Sequence, residues 1–335
     1  MKIAIRADGG SEIGMGHIMR TLVLAKELVK TNDVFYICRV DNPLSNKYKT
    51  GIDKIKSEGF NILTINEGDF IEELCKINVD CLITDSYDVN EKYFNVTKKF
   101  FRFTGYIDDM NLYHFNVDFI INQNMGAEKH FYKVNKDTKL FLGTKYTMLR
   151  EEFRNIPSKI INKNITDIMI TVGGSDIYKI TNSICNYVKK LEFKFHIVIG
   201  SSFERENIQE LIKLSKEKEN IKLYFNANMI ELMKKCGMCI SACGSTLYEL
   251  AACGVPTIGI IIADNQKEIA IELTDKGIIE NLGWYNQLDK ESLCNAILEL
   301  DKNFNKRIEM SQKGISLVDG KGDERIANIL NNIFV

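Results

Sequence analysis

The chain has 335 residues, 45% of them apolar and 27% charged, and a formal net charge of −1. That size and balance fit an ordinary folded protein of roughly two domains at ~150 residues each. Near-neutral charge with no long basic run argues against a nucleic-acid surface as its main business, and no apolar run approaches the ~20 residues of a membrane span.

The chain opens with Lys2-Ile3-Ala4-Ile5-Arg6-Ala7, which reads as a strand, not as the apolar core of a signal peptide, so a cytoplasmic protein is expected. Gly14-Met15-Gly16-His17-Ile18-Met19-Arg20 follows, and then Thr21 to Leu28 repeats apolar residues at helical spacing. The glycines therefore occupy a strand-to-helix turn. Glycine lets a ligand approach the backbone closely, and the first turn of a helix offers unpaired N–H groups to an anion. His17 adds an imidazole that can move a proton near neutral pH. The alternative is that Gly14 and Gly16 only shape the turn while His17 packs beside it.

Val34–Cys38, Asn61–Ile65 and Cys81–Asp85 read as strands, separated by helices over Gly51–Gly59 and Phe70–Ile77. Alternating strands and helices predict a parallel sheet covered on both faces, with ligands bound beyond the carboxyl ends of the strands. The glycine turn and Asp85-Ser86-Tyr87 both fall at such ends, as do Asp108-Asp109 and Asn122-Gln123-Asn124 after two further strands. Apolar density drops between Arg154 and Asn164, which predicts two domains, 1–155 and 156–335.

A second β-α series begins at Asp167–Val172, running into Gly173-Gly174-Ser175-Asp176. Helices over Ile180–Leu191, Asn207–Lys218 and Met229–Cys236 alternate with strands at Phe195–Gly200, Ile221–Tyr224 and Met238–Ser241. The expected fold class is thus α/β, two doubly wound Rossmann-like domains with a cleft between them as the usual place for a ligand. Ser241-Ala242-Cys243-Gly244-Ser245-Thr246 takes a strand through a small-residue turn into a helix. Ser245 and Thr246 can cap that helix, their N–H groups would face a phosphate, and Glu249 is placed to accept from a ribose diol. Asp264-Asn265-Gln266 lies at another strand end, and Leu288 to Val335 reads as helices, the last expected to cross back to the first domain.

Nine cysteines lie scattered, mostly in apolar runs, and read as reduced buried thiols. Cys236-Gly-Met-Cys239, followed by Cys243, is the one cluster that invites a metal, and it lacks the second pair or nearby histidines that zinc would want. His196 lies within a strand pattern and is expected to pack. No metal and no cofactor are expected.

Taken together and in this order, Arg6-Ala7-Asp8, Gly14-Met15-Gly16-His17-Ile18-Met19-Arg20, Asp85-Ser86-Tyr87, Gly173-Gly174-Ser175-Asp176, Gly244-Ser245-Thr246 with Glu249, and Asn265-Gln266 resemble the UDP-sugar hydrolases of pseudaminic acid biosynthesis. The resemblance spans nearly the whole chain and implies a GT-B fold. It implies metal-free hydrolysis of UDP-2,4-diacetamido-2,4,6-trideoxy-β-L-altropyranose to UDP and free sugar, with inversion. By that resemblance His17 is the base that activates water, and Gly244, Ser245 and Thr246 hold the pyrophosphate. Glu249 binds the ribose, and Tyr87, Asn265 and Gln266 line the sugar side. Gly14, Gly16, Arg20 and Gly174 join the substrate-binding set, and Asp8 orients His17 or contacts substrate. The sequence departs from the family at Ala242-Cys243-Gly244, where two glycines are usual, and at Tyr248, where Trp is common. Extra residues near Asp41 to Thr50 put the substrate range in doubt. The competing expectations are a GT-B glycosyltransferase, a hydrolase of another nucleotide sugar, and a non-catalytic nucleotide-sugar sensor.

Overall fold

The computed structural model describes residues 1–154, 156–157 and 159–333. The chain divides into two compact units, Met1–Arg150 joined by the segment from Lys321 onward, and Glu151–Gly320. The boundary expected at 155 falls on a residue outside the described set, and the division lies a few residues earlier.

The first unit is built on β1 (Lys2–Ala7), α1 (Gly16–Leu28), β2 (Asp33–Val40), α2 (Asn46–Ser57), β3 (Ile62–Asn66), α3 (Phe70–Leu74), β4 (Cys81–Asp85), α4 (Glu91–Phe100) and β5 (Phe103–Ile107). A short pair, β6 (His114–Phe115) and β8 (Lys133–Val134), flanks β7 (Phe119–Asn122), and β9 (Lys139–Leu142) closes the sheet. The order is β3-β2-β1-β4-β5-β7-β9, all parallel. Strand residues alternate between faces. Ile3, Ile5 and Ala7 of β1 join Ile18, Leu22 and Ala25 of α1 in one core, while Ala4 joins Leu82, Phe94 and Tyr106 in the other. Burial on both faces explains why these strands read as nearly continuous apolar runs. Gly105 is needed for packing, because a Cβ there would lie 2.1 Å from the ring of its pairing partner Phe119.

α2 starts five residues before the expected Gly51. Ser45 caps it by accepting from the Lys47 N–H, and Gly51 sits inside the helix because a Cβ would come 2.4 Å from the Gly9 carbonyl oxygen. A glycine that reads as a helix breaker is here a contact between α2 and the loop before His17.

The second unit carries β10 (Asp167–Thr171), α5 (Ile180–Val188), β11 (Lys194–Ile199), α6 (Arg205–Glu217), β12 (Ile221–Phe225), α7 (Met229–Lys235), β13 (Met238–Ala242), α8 (Thr246–Ala252), β14 (Thr257–Ile261), α9 (Lys267–Asp275), β15 (Ile279–Trp284), α10 (Lys290–Lys302) and α11 (Phe304–Leu317). Its sheet runs β12-β11-β10-β13-β14-β15, again all parallel. The edge strand β15 is absent from the sequence reading. It is half-buried, its register against β14 shifts, and Gly283 takes φ +79°, so it shows neither alternation nor a continuous apolar run.

The last helix, α12 (Gly322–Ile333), belongs to the first unit: Ile326, Ala327 and Leu330 complete the core under α1. Asn331 exchanges hydrogen bonds with Thr31 and Asn32. Among the described residues, no helix is long and apolar enough to cross a membrane.

Candidate functional site

In each sheet the strand order reverses at one place, between β1 and β4 in the first unit and between β10 and β13 in the second. Open α/β sheets bind ligands beyond the carboxyl ends of the strands at such a switch point. The residues singled out from the sequence collect at these two places.

In the first unit Ala7 pairs with Asp85, so the loop after β1 and the end of β4 are neighbours. Gly10 and Gly14 close that loop through two reciprocal backbone hydrogen bonds of 3.1 and 2.8 Å, and Gly14 takes φ +80°. Gly16 begins α1 with ordinary backbone angles, and a Cβ there would meet nothing within 4 Å. Packing does not require this glycine, which leaves room for a ligand at the mouth of the turn. The N–H groups of Gly16 and His17 have no acceptor among the described residues.

His17 is buried, with Nδ1 2.6 Å from Oδ1 of Asp85. Arg20, one helical turn along, donates to both Asp85 oxygens, from Nε at 2.6 Å and from Nη2 at 2.5 Å. Asp85 is 0% exposed. Burial alone would push its carboxyl up, but the charges of Arg20 and His17 and their hydrogen bonds outweigh it and hold it at about 2. An ionised carboxylate can only accept, so Nδ1 donates to it, and in the neutral ring the lone pair is on Nε2. Nε2 has no hydrogen-bond partner among the described residues. Nη1 of Arg20 also donates to Asp109 Oδ2 at 3.0 Å, and the Tyr87 hydroxyl donates to the same oxygen at 2.7 Å. The Tyr87 ring stands edge-on to His17 with centroids 4.5 Å apart, and the residue is 46% exposed. Burial, then the Asp109 charge, pushes the Tyr87 phenol far up, so it stays neutral.

One expectation needs correcting here. Asp8 does not orient His17: it accepts from the backbone N–H and Nε of Arg39, at 2.7 and 2.9 Å, and pairs with Arg6 at 3.2 Å, so it ties the end of β1 to β2. The orienting carboxylate is Asp85. Its signal was available, an acid ending a buried strand, but its contact with His17 spans 68 residues and appears only once β1 and β4 are paired. Asp109 was placed at a strand end from the sequence, but its contact with Arg20 spans 89 residues and appears only in the fold. Arg20 is engaged by the protein's own carboxylates and leaves 10% of its side chain exposed.

In the second unit Thr171 pairs with Ser241, which sets the Gly173–Asp176 loop beside the turn after β13. Gly173 takes φ +107°, and the Gly174 carbonyl accepts from the Ser202 N–H at 2.8 Å. Asp176 caps α5 through the N–H groups of Ile180 and Thr181, at 2.7 and 2.9 Å, and so holds the loop to its helix. The N–H groups of Gly244, Ser245 and Thr246 have no acceptor among the described residues. Ser245 does not cap α8 with its side chain, contrary to expectation: its backbone is already helical at φ −58°, ψ −24°, and its hydroxyl is exposed. A Cβ on Gly244 would lie 3.6 Å from Nε2 of Gln266. Gln266 is oriented by the Ile262 N–H, which donates to its Oε1 at 3.0 Å and so leaves the amide N–H₂ on the side of the turn. Asn265 lies in the same short turn, and Glu249 in the first turn of α8. The gathering of backbone and amide donors suits an anion.

The remaining candidates are structural. Cys236, Cys239 and Cys243 are buried, and burial pushes the Cys236 and Cys243 thiols up to about 12. His196 is buried between Asp167, 2.6 Å from its Nε2, and the Tyr224 hydroxyl, 2.8 Å from its Nδ1. Tyr248 is core, 1% exposed.

Residues 167–326 match the glycosyltransferase family 28 C-terminal domain. An uncharacterized protein of Methanocaldococcus jannaschii, MJ1062, is 31% identical over 287 residues, 80% of this chain, and the chain spans 57% of that relative's length. The UDP-2,4-diacetamido-2,4,6-trideoxy-beta-L-altropyranose hydrolase of Campylobacter jejuni is 27% identical over 283 residues, covering 83% of this chain and 97% of that protein. Among solved structures, MurG of Acinetobacter baumannii superposes with a TM-score of 0.66 at 15% identity, over 99% of both chains. The fold is GT-B.

Proposed function

From the premise of a GT-B chain whose second unit matches the glycosyltransferase family 28 C-terminal domain, we propose that it hydrolyses a UDP-linked diacetamido-trideoxy sugar to UDP and the free sugar. The observation that carries this reading is the His17–Asp85 pair, which engages Nδ1 of His17 and leaves Nε2 without a partner among the described residues at the mouth of the glycine turn. His17 takes a proton from water as the water oxygen bonds to the anomeric carbon. The bond from that carbon to the UDP oxygen breaks, the configuration inverts, and UDP leaves with the electron pair. The N–H groups of Gly244, Ser245 and Thr246 hold the pyrophosphate and stabilise its growing charge. Glu249 binds the ribose, Tyr87, Asn265 and Gln266 contact the sugar, and Gly174 backs the phosphate turn.

The family 28 match favours a second reading, transfer of the sugar to an acceptor hydroxyl in place of water. One assay separates them. UDP and free sugar are followed with the purified chain and UDP-2,4-diacetamido-2,4,6-trideoxy-β-L-altropyranose in EDTA. Equal release of both, lost in His17→Ala, is the expected outcome. Binding of UDP with no release until an acceptor is added would replace hydrolysis by transfer.

A further inference from the structure

The family resemblance puts Arg20 among the substrate-binding residues. The geometry points elsewhere: we propose that Arg20 is a positioning residue, which acts on His17 through Asp85 and makes no contact with the nucleotide sugar. This inference rests on the reading of His17 as the base. Arg20 grips Asp85 through two parallel hydrogen bonds of 2.6 and 2.5 Å, a fork-on-carboxylate geometry that lysine cannot copy. A further N–H goes to Asp109, and only 10% of the side chain is exposed. His17, Asp85, Arg20, Asp109 and Tyr87 thus form a closed ring of contacts, each side chain held by two others.

The charge accounting explains why the ring exists. A carboxylate as buried as Asp85 would take up a proton unless a cation faced it. The groups facing it are His17 and Arg20 from α1, Asp109 from the loop after β5, the Tyr87 phenol, and the buried phenols of Tyr36 on β2 and Tyr106 on β5. Arg20 is the only permanent cation in that set. Without it no permanent cation opposes a proton on the buried pair. Wherever that proton settles, on the Asp85 carboxyl or on the ring, Nε2 of His17 ends up protonated and cannot accept one from water.

The test compares wild type, Arg20→Met, Asp85→Asn and the double variant in steady-state hydrolysis across pH, with histidine ¹⁵N spectra beside it. Arg20→Met should lower kcat at neutral pH by roughly 10²-fold or more with KM little changed, and the acid limb of its kcat profile should move up by about 1–3 pH units. Raising the pH should restore much of the rate. In the Asp85→Asn background the same substitution should cost little more, since its route to His17 is already cut. The ¹⁵N spectra should show Nε2 of His17 unprotonated in the wild type and protonated in Arg20→Met at the same pH. Arg20→Lys, which keeps the charge but loses the fork, should fall between and stands in if Arg20→Met does not fold. A raised KM at unchanged kcat, or an additive loss in the double variant, would overturn the proposal and make Arg20 a substrate ligand. The spectra need no turnover, so they test Arg20 even if the wild type proves to be a transferase, whereas full hydrolysis by His17→Ala would remove the base reading itself.

Discussion

The two switch points are built in opposite ways. In the first unit the carboxyl ends of β1 and β4 carry charged side chains locked to one another: His17 on Asp85, Asp85 on Arg20, Arg20 on Asp109. In the second, the ends of β10 and β13 carry small residues whose backbone N–H groups lie open, with one amide side chain, Gln266, aimed alongside. The difference fits two tasks. Moving a proton demands a side chain held in one tautomer, which only a network can enforce. Holding a phosphate demands room and donors, which a glycine turn supplies without side chains.

Substitutions should therefore separate chemistry from binding. The largest effect is expected from Asp85→Asn, which removes the acceptor that fixes the His17 tautomer. The rate should fall roughly 10²–10⁴-fold while UDP affinity, measured by calorimetry, stays within a factor of two or so. Loss of UDP binding in this variant would erase the contrast between the units. A smaller effect of opposite kind is expected from Gly244→Ala. Its Cβ would meet the protein only at the ordinary distance of 3.6 Å, so the fold should survive with an unchanged melting temperature. On the proposed reading the methyl group would crowd the pyrophosphate, and UDP should bind about tenfold more weakly, about 1.4 kcal/mol.

The smallest effect concerns acid. Burial lowers the His196 value in the second unit despite the favourable Asp167 partner. A group whose folded value is lowered adds stability above its ordinary value and loses it as pH falls through the folded one. Protection of β10 and β11 amides against hydrogen exchange should thus begin to weaken below about pH 6.5. Asp85, held at about 2, contributes until pH falls below the ordinary carboxylate range. Amides of β1 and β4 that lost protection first would reverse this order.

How much of this was legible in the sequence follows from distance along the chain. The glycine turn, His17 and the Gly244–Thr246 turn are local patterns, so strand, turn and helix could be read from consecutive residues. The partner of His17 is not local, and the acid nearest in sequence, Asp8, was read as the one that orients it or contacts substrate. Only the pairing of β1 with both β2 and β4 assigns Asp8 to Arg39 and Asp85 to His17. Ser245 was misread because a serine before a helix normally caps it, whereas here the residue is already helical. β15 and α2 were obscured by glycines that serve tertiary contacts or a bend, for which local propensity has no signal.

The return of α12 to the first unit fixes an order of events in biosynthesis. Ile326, Ala327 and Leu330 are made after every residue of the second unit, yet they close the core under α1, the helix that carries His17 and Arg20. The second unit is one uninterrupted stretch, whereas the first leaves an open apolar face on α1 until α12 is in place. A chain that ended at Gly320 would thus keep every strand of both sheets and lose the apolar cover of α1.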